Sequence, residues 1–350
     1  MKLFNILFTL FGVVTVIFFL FKILPGDPAR MMMDQNEDVE QLEIIKKKYG
    51  FDEPILNQYL YYLNDLSIIS IHSKNPEKIN FIRENKYSFT KIYDFQNSTL
   101  VLKFPYLRES YQRRGVKVST IIMDTFPNTV VLAISSILFA TVFGLLLGIL
   151  SALYKETLFD NSIQLFGTFG MSMPSFLSSI IFAWIFGFVL ADITGLNMTG
   201  SLFELDDFGD EYRLELKNLI LPSIVLGIRP IAVISMMMRN SLIETLKKNY
   251  VITAYAKGLS KSKVILNHCL KNSLNPVITA LSGWFASLLA GSVFVEYIFG
   301  WNGLGREIVN SLNLLDVPVI IGAVIVVSFS FIMINIFVDY VYKFLDPRIS

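Results

Sequence analysis

The chain has 350 residues, its 30 Lys and Arg are balanced by 29 Asp and Glu, and 53% of it is hydrophobic. That apolar share exceeds the roughly 45–50% of a soluble domain and collects in long runs, so the chain reads as a membrane protein. The even charge argues against a nucleic-acid surface. One cysteine, Cys269, and two distant histidines, His72 and His268, exclude an internal disulfide and supply too few ligands for a zinc site.

Six stretches are apolar over the ~20 residues a spanning helix needs: about 3–24, 127–153, 163–191, 219–238, 276–298 and 317–342. The first is longer than the apolar core of a signal peptide and lacks a small-residue cleavage site, so it reads as a retained span. The organisation follows: 1–24 is the first span, 25–126 an extracytoplasmic segment and 127–345 a membrane core. Within 38–66 two helices are expected. Lys46, Lys47 and Lys48 close the first, Gly50 stops it, and Asp52 or Glu53 caps the second, which opens with Pro54. Ile55, Tyr59, Tyr62, Leu63 and Leu66 form its stripe, which suits either a cap on the membrane face or a docking surface. Residues 68–118 read as an irregular insert with a short strand around 98–104.

The third span opens with Ser172, Pro174 and Ser175 among glycines and further serines. These residues suit a polar path and close helix packing alike. Gly144 and Gly148 form a Gly-x-x-x-Gly packing pair, and Gly283, Ser287, Ala290 and Gly291 give the fifth span a small face. Arg229 lies mid-way along the fourth span beside Pro230. A charge there costs a few kcal/mol and belongs against a cavity or a partner. It suits a ligand for a substrate carboxylate, a gate, or a structural ion pair. Asp339, near the end of the sixth span, reads as an interfacial cap or pairing partner.

The loop at about 240–275 carries Arg239, Lys247, Lys248, Lys257, Lys261, Lys263 and Lys271 against Glu244. The positive-inside rule places it, and both termini, in the cytoplasm. Leu242, Leu246, Tyr250 and Ala254 recur every four residues, which predicts one amphipathic helix ending at Gly258. A second helical stretch follows from about Ser260 to Asn272. A helix–Gly–helix between spans suits a rod that fits a groove on a cytosolic partner, and it equally suits a helix resting on anionic lipid.

The residues themselves carry a resemblance. Tyr250-Val-Ile-Thr-Ala-Tyr-Ala-Lys-Gly-Leu259 and Lys271-Asn-Ser-Leu-Asn-Pro276 resemble the EAA-type loop of ABC importer permeases, most closely the dipeptide/oligopeptide/nickel family. Leu24-Pro-Gly-Asp-Pro28, Gly50-x-Asp-x-Pro54, the Gln58-Tyr59 and Asp65-Leu66 pairs, Gly170-Met-Ser-Met-Pro174 and Leu221-Pro-Ser-Ile-Val-Leu-Gly227 follow in family order. Glu296-x-x-Phe-x-Trp-x-Gly-Leu-Gly305 and Asp346-Pro-Arg348 complete the series. The chain departs from the family in an insert at about 68–107 and in Ile252, where a polar residue is usual.

The resemblance implies an all-α, six-span permease of the type I ABC importer fold in a bacterial cytoplasmic membrane. It implies a second homologous permease, two cytosolic ATPase subunits and an extracytoplasmic binding protein, with short peptides as leading substrate. Coupling to the ATPases falls to Leu246, Tyr250, Thr253, Ala254, Ala256, Lys257 and Gly258. The pathway candidates are Ser172, Pro174, Ser175, Arg229 and Ser287, and Glu296, Trp301, Gly303 and Gly305 form an external gate. ATP and Mg belong to the partners, since this chain has no Gly-x-x-x-x-Gly-Lys-Ser/Thr loop. The competing reading is a secondary transporter or channel without ATPases, which would commonly show an internal repeat. A membrane-anchored enzyme would leave His72 without a nucleophile or metal partner.

Overall fold

A computed structural model describes residues 2–23, 27–33, 39–76, 78–82, 88–206 and 209–345. In chain order the elements are α1 (Lys2–Ile23), α2 (Pro28–Met31), α3 (Val39–Tyr49), α4 (Ile55–Leu66), β1 (Ile69–Ser73), β2 (Phe89–Asp94), β3 (Ser98–Lys103) and α5 (Val118–Leu153). Next come α6 (Leu158–Ser172), α7 (Ser175–Trp184), a π turn (Ile185–Val189), α8 (Ala191–Thr194), β4 (Phe203–Leu205), β5 (Tyr212–Leu214) and α9 (Ile220–Leu246). The remainder is α10 (Asn249–Ala256), α11 (Lys261–Val264), α12 (Leu270–Ser273), α13 (Asn275–Gly291), α14 (Val293–Phe299), α15 (Leu304–Asn313) and α16 (Val317–Leu345). The sequence signal at Leu24-Pro-Gly-Asp-Pro28 falls largely outside the described residues. The Asp346-Pro-Arg348 signal and the side chain of Asp339 fall wholly outside them.

Among the described residues four helices are long and apolar enough to cross a membrane: Ile6–Ile23, Val118–Leu153, Leu216–Leu246 and Val317–Val338. Two bent pairs raise the number to six if each counts as one span. Leu158–Ser172 and Ser175–Val189 meet at 110°, and Lys261–Ser273 and Asn275–Gly291 meet at 42°. The third span, expected as one apolar stretch at 163–191, is thus two helices that meet at a break. Pro174 has extended backbone and removes the N–H that would continue the ladder, so α6 stops and α7 sets off in a new direction. The second span begins earlier than expected and carries Pro127 inside it.

The chain divides into two compact units. The first comprises residues 1–124 and 308–326. Here α4 lays Tyr59 and Tyr62 on Val14 and Phe18 of α1, beside Ile321. The Thr15 and Tyr59 hydroxyls share a 2.6 Å hydrogen bond. The insert is more regular than its sequence implied. It forms an antiparallel sheet in the order β1–β3–β2, with β1 and β2 unforeseen and β3 at the expected place. Buried Lys103 ties the sheet to the end of α4 by donating to the carbonyls of Asp65 and Ser67. His72 is buried and bonded to Ser70 and the Asn80 carbonyl, a structural placement. The chain is predominantly helical, as expected, with this small sheet added in the insert. Pro54 itself is the N-cap of α4, with no side-chain cap from Asp52 or Glu53.

The second unit comprises residues 125–307 and 327–350. Its α9 runs through two buried clusters. One holds Leu132, Val225, Phe299 and Trp301, the other Ile234, Met238, Leu242, Val251 and Val264. Lipid is as apolar as leucine, so helices here are held by close packing rather than by exclusion from water. A Cβ on Gly144 would stand 2.7 Å from Ile234, and one on Gly148 2.6 Å from the Ser235 carbonyl. The Gly-x-x-x-Gly pair is thus where α5 meets α9. The loop before α9 adds a small hairpin, β4–β5, that the sequence did not announce.

Candidate functional site

The stretch after the fourth span is built differently from the single helix expected there. Leu242 and Leu246 belong to α9, which ends at Leu246. Lys248 is extended, and α10 restarts at Asn249. Three exposed polar residues in a row, Lys247 to Asn249, give the helix no packing to continue against. Gly258, at φ +79°, then ends α10 in a Schellman turn. The Gly258 N–H donates to the Tyr255 carbonyl at 2.9 Å, and the Leu259 N–H to that of Ala254 at 3.3 Å. The π turn at Ile265–Cys269 and α12 lead into α13.

This arrangement gives α10 two faces. Val251 and Ala254 are buried in the cluster with Leu242, Val264 and Cys269. Tyr250, Ile252, Thr253, Tyr255, Ala256, Lys257 and Gly258 are exposed, Ile252 by 57%. Of the residues assigned to coupling, Ala254 and half-buried Leu246 hold the rod in place, and the other five face outward. Tyr255 belongs with those five and was not singled out from the sequence. Asn272 Nδ2 donates to the Tyr250 hydroxyl at 2.8 Å, which joins the rod to α12.

A second cluster forms at the break in the third span. A cavity of about 60 Å³ is lined by Ser175, Arg229 and Ser287 together with Gly170, Trp284 and Gly291. Three of the five pathway candidates thus line one space. Pro174 caps α7, and exposed Ser172 returns its hydroxyl to the Thr168 carbonyl at 2.9 Å. The break leaves the Met173 carbonyl without a helical donor, and Arg229 Nε supplies one at 3.2 Å. That is the one protein hydrogen bond of Arg229, and no carboxylate lies within ion-pair distance of it among the described residues. The small residues Gly283, Ser287, Ala290 and Gly291 of α13 are exposed.

A third cluster surrounds Glu296, which is 0% exposed. It accepts hydrogen bonds from the Ser292 hydroxyl at 2.7 Å, the Gly305 N–H at 2.7 Å and the Arg306 N–H at 3.2 Å. A Cβ on Gly303 would stand 2.3 Å from Glu296 Oε2, and one on Gly305 2.9 Å from it. The spacing Glu296, Gly303, Gly305 is therefore what a carboxylate folded onto a helix N-terminus requires. Trp301 Nε1 donates to the Asn128 carbonyl at 3.0 Å, and the Leu304 N–H to Thr129 Oγ1 at 2.8 Å. Trp301 is fully buried.

Sequence reasoning missed an ion pair between α6 and α9. Asp160, 0% exposed, receives Arg239 Nε at 2.7 Å and Nη2 at 2.6 Å. It also accepts from Ser151 Oγ and from the Glu156 N–H at 2.9 Å. Arg239 had counted only toward the charge of the loop. The available signal was Thr157-x-x-Asp160, a capping-box spacing at the start of an apolar run.

The model of the family described as binding-protein-dependent transport system inner membrane component matches residues 144–350. That span holds all three clusters almost entirely. The chain belongs to this family. The N-terminal model of the same kind of membrane component matches residues 1–81. Curated relatives agree along the whole length. The chain is 32% identical to the di/tripeptide transport system permease protein DppB of Pseudomonas aeruginosa (strain UCBPP-PA14), over 97% of this chain and 95% of that one. It is 30% identical to the glutathione transport system permease protein GsiC of Escherichia coli (strain K12), over 99% and 97%. An inward-facing structure of the MetNI methionine ABC transporter shares the fold, with TM-score 0.52, 14% identity and coverage of 65% of this chain and 97% of that chain. The chain is therefore a permease subunit, multi-pass in the inner membrane, of an importer that works with a binding protein and an ATPase.

Proposed function

We propose that this permease forms half of the channel of an importer for short peptides, and that α10 is the rod through which cytosolic ATPases move it. The exposed face of α10 carries the reading. Tyr250, Ile252 and Tyr255 present apolar surface on a rod anchored from below by Val251 and Ala254. An exposed apolar face on a fixed short helix is what a groove on a partner accepts. The connection 240–275 and both termini lie on the cytoplasmic side, and residues 25–126 on the other. Two ATPase subunits bind ATP and Mg²⁺ and do the hydrolysis. A second, homologous permease completes the pathway, with the small face of α13 turned toward it or toward the path. The Glu296 clamp and Trp301 fix the turn that gates the outer mouth.

The substrate reading rests on the names of the relatives and on Arg229. A guanidinium with no carboxylate partner part-way along a membrane helix is costly unless something anionic visits it. It lies at a cavity edged by serine hydroxyls. The C-terminal carboxylate of a peptide matches the fork of Arg229 in charge and geometry. Uptake of a labelled dipeptide into cells making the complete importer tests this. Arg229→Gln should lower uptake at least tenfold, Arg229→Lys less, and C-terminally amidated peptides should compete poorly against the wild type. Equal uptake by Arg229→Gln, or equal competition by amidated peptide, contradicts it.

A further inference from the structure

The N-terminal unit contains a cavity of about 230 Å³ that the transport reading does not use. Its floor is apolar, with Phe18, Phe21 and Ile321. Its other wall is cationic and phenolic, with Lys22, Arg108 and Tyr62. The charges do not cancel. Lys46 pairs with Asp27 at 3.2 Å, and Arg108 pairs with Asp65 at 2.8 Å. Lys22 has a neutral partner, Gln58 Oε1, at 2.5 Å, and its ammonium stands 5.4 Å from the centroid of the Phe51 ring. No carboxylate lies within ion-pair distance of Lys22 among the described residues. A lysine at a span end ordinarily snorkels into water. Lys22 is half-buried and turned to the protein instead. Tyr62, 2% exposed, lines the same cavity, and its hydroxyl finds no hydrogen-bond partner among the described residues. A buried hydroxyl beside a half-buried ammonium without an anion marks a place for an acceptor.

Depth decides the kind of acceptor. Lys22 lies in the last turn of α1, whose apolar window ends at Ile23, and Val317 and Pro318 of the same cavity open the apolar window of α16. Both span ends put the cavity at the level where phospholipid headgroups lie. An adjoining cavity of about 1120 Å³ shares Arg108, Tyr49 and Tyr111 and is edged by Lys47, Lys48 and Lys91. We infer that this cavity binds one anionic phospholipid, its phosphate between Lys22 and the Tyr62 hydroxyl and an acyl chain along Phe18 and Phe21. The single unmatched positive charge fits one phosphodiester. The larger basic cavity beside it admits a polar headgroup substituent.

Native mass spectrometry of the purified full-length chain in mild detergent tests this, with phosphatidylglycerol and phosphatidylcholine as the two probes. The wild type should retain one phosphatidylglycerol per chain at least tenfold better than phosphatidylcholine. Lys22→Gln should lose most of that preference, and Lys22→Arg, which keeps the charge, should keep it. Equal retention of the two lipids by the wild type overturns the proposal without any variant having to fold. So does undiminished preference in Lys22→Gln. Inorganic phosphate is the third arm: if millimolar phosphate displaces phosphatidylglycerol completely, the site takes a free anion and the lipid assignment is overturned.

Discussion

At the scale of single residues, two carboxylates of the second unit, Asp160 and Glu296, are fully buried. Asp160 and Arg239 form a doubly hydrogen-bonded pair out of solvent. Removing one partner leaves the other buried and uncompensated, which costs about 3–5 kcal/mol. Asp160→Asn and Arg239→Gln should each lower the thermal midpoint of the purified permease markedly. The double variant should fall by less than the sum of the two, as residues in direct contact do. Gly303 is the second case. A methyl group there meets Glu296 Oε2 at 2.3 Å, so Gly303→Ala must push the carboxylate off the helix N-terminus, at a cost of roughly 1–3 kcal/mol. Its yield and midpoint should drop. Gly12→Ala is the control, because that site lies in α1 without a positive φ and has no neighbour within 4 Å.

At the scale of elements, the anchoring of α10 and its proposed coupling role fall on opposite faces. A charge at Ala254 enters the cluster of Val251 and Leu242 and should destabilise the subunit itself. A charge at Tyr255 or Ala256 meets only solvent, so Tyr255→Asp should leave the detergent-solubilised subunit as stable as the wild type, within about 0.5 kcal/mol. It should still abolish uptake. A variant that is stable and transports normally contradicts the coupling role of this face.

The same element shows what the sequence could and could not disclose. The spacing Leu242, Leu246, Tyr250, Ala254 predicted one helix, but a break whose restart preserves the four-residue phase is invisible to periodicity. Gly258 was legible because a left-handed stop demands glycine. Pro174 was legible as a polar break in a span, but not the 110° turn, which depends on what α7 packs against. Strand β1 escaped because its alternating buried positions are the polar Ser70 and His72, and β2 because nearly all of its side chains are exposed, so neither shows the apolar alternation that marks a half-buried strand. The Glu296 motif was read from family likeness, and its physical reason, a carboxylate pressed against two glycines, needed three dimensions.

At the scale of the whole molecule, the permease carries surfaces that its own chain does not cover. The small face of α13 and the apolar face of α10 are exposed in the subunit alone. On the proposed assembly, the first is shielded by a second permease or lines the path, and the second is covered by an ATPase. Cys269, the one cysteine, is buried, so an introduced cysteine is a clean probe. The most direct measurement is photo-cross-linking from Ala256→Cys labelled with benzophenone maleimide, whose photoreactive end needs no thiol on the partner, in membranes that hold the complete importer. The account predicts a product joining this chain to an ATPase subunit, and none from a cysteine placed at exposed Leu102 on the sheet. A functional Ala256→Cys importer that yields no ATPase product, or that yields it equally from Leu102→Cys, contradicts the claim that α10 is where the ATPase grips.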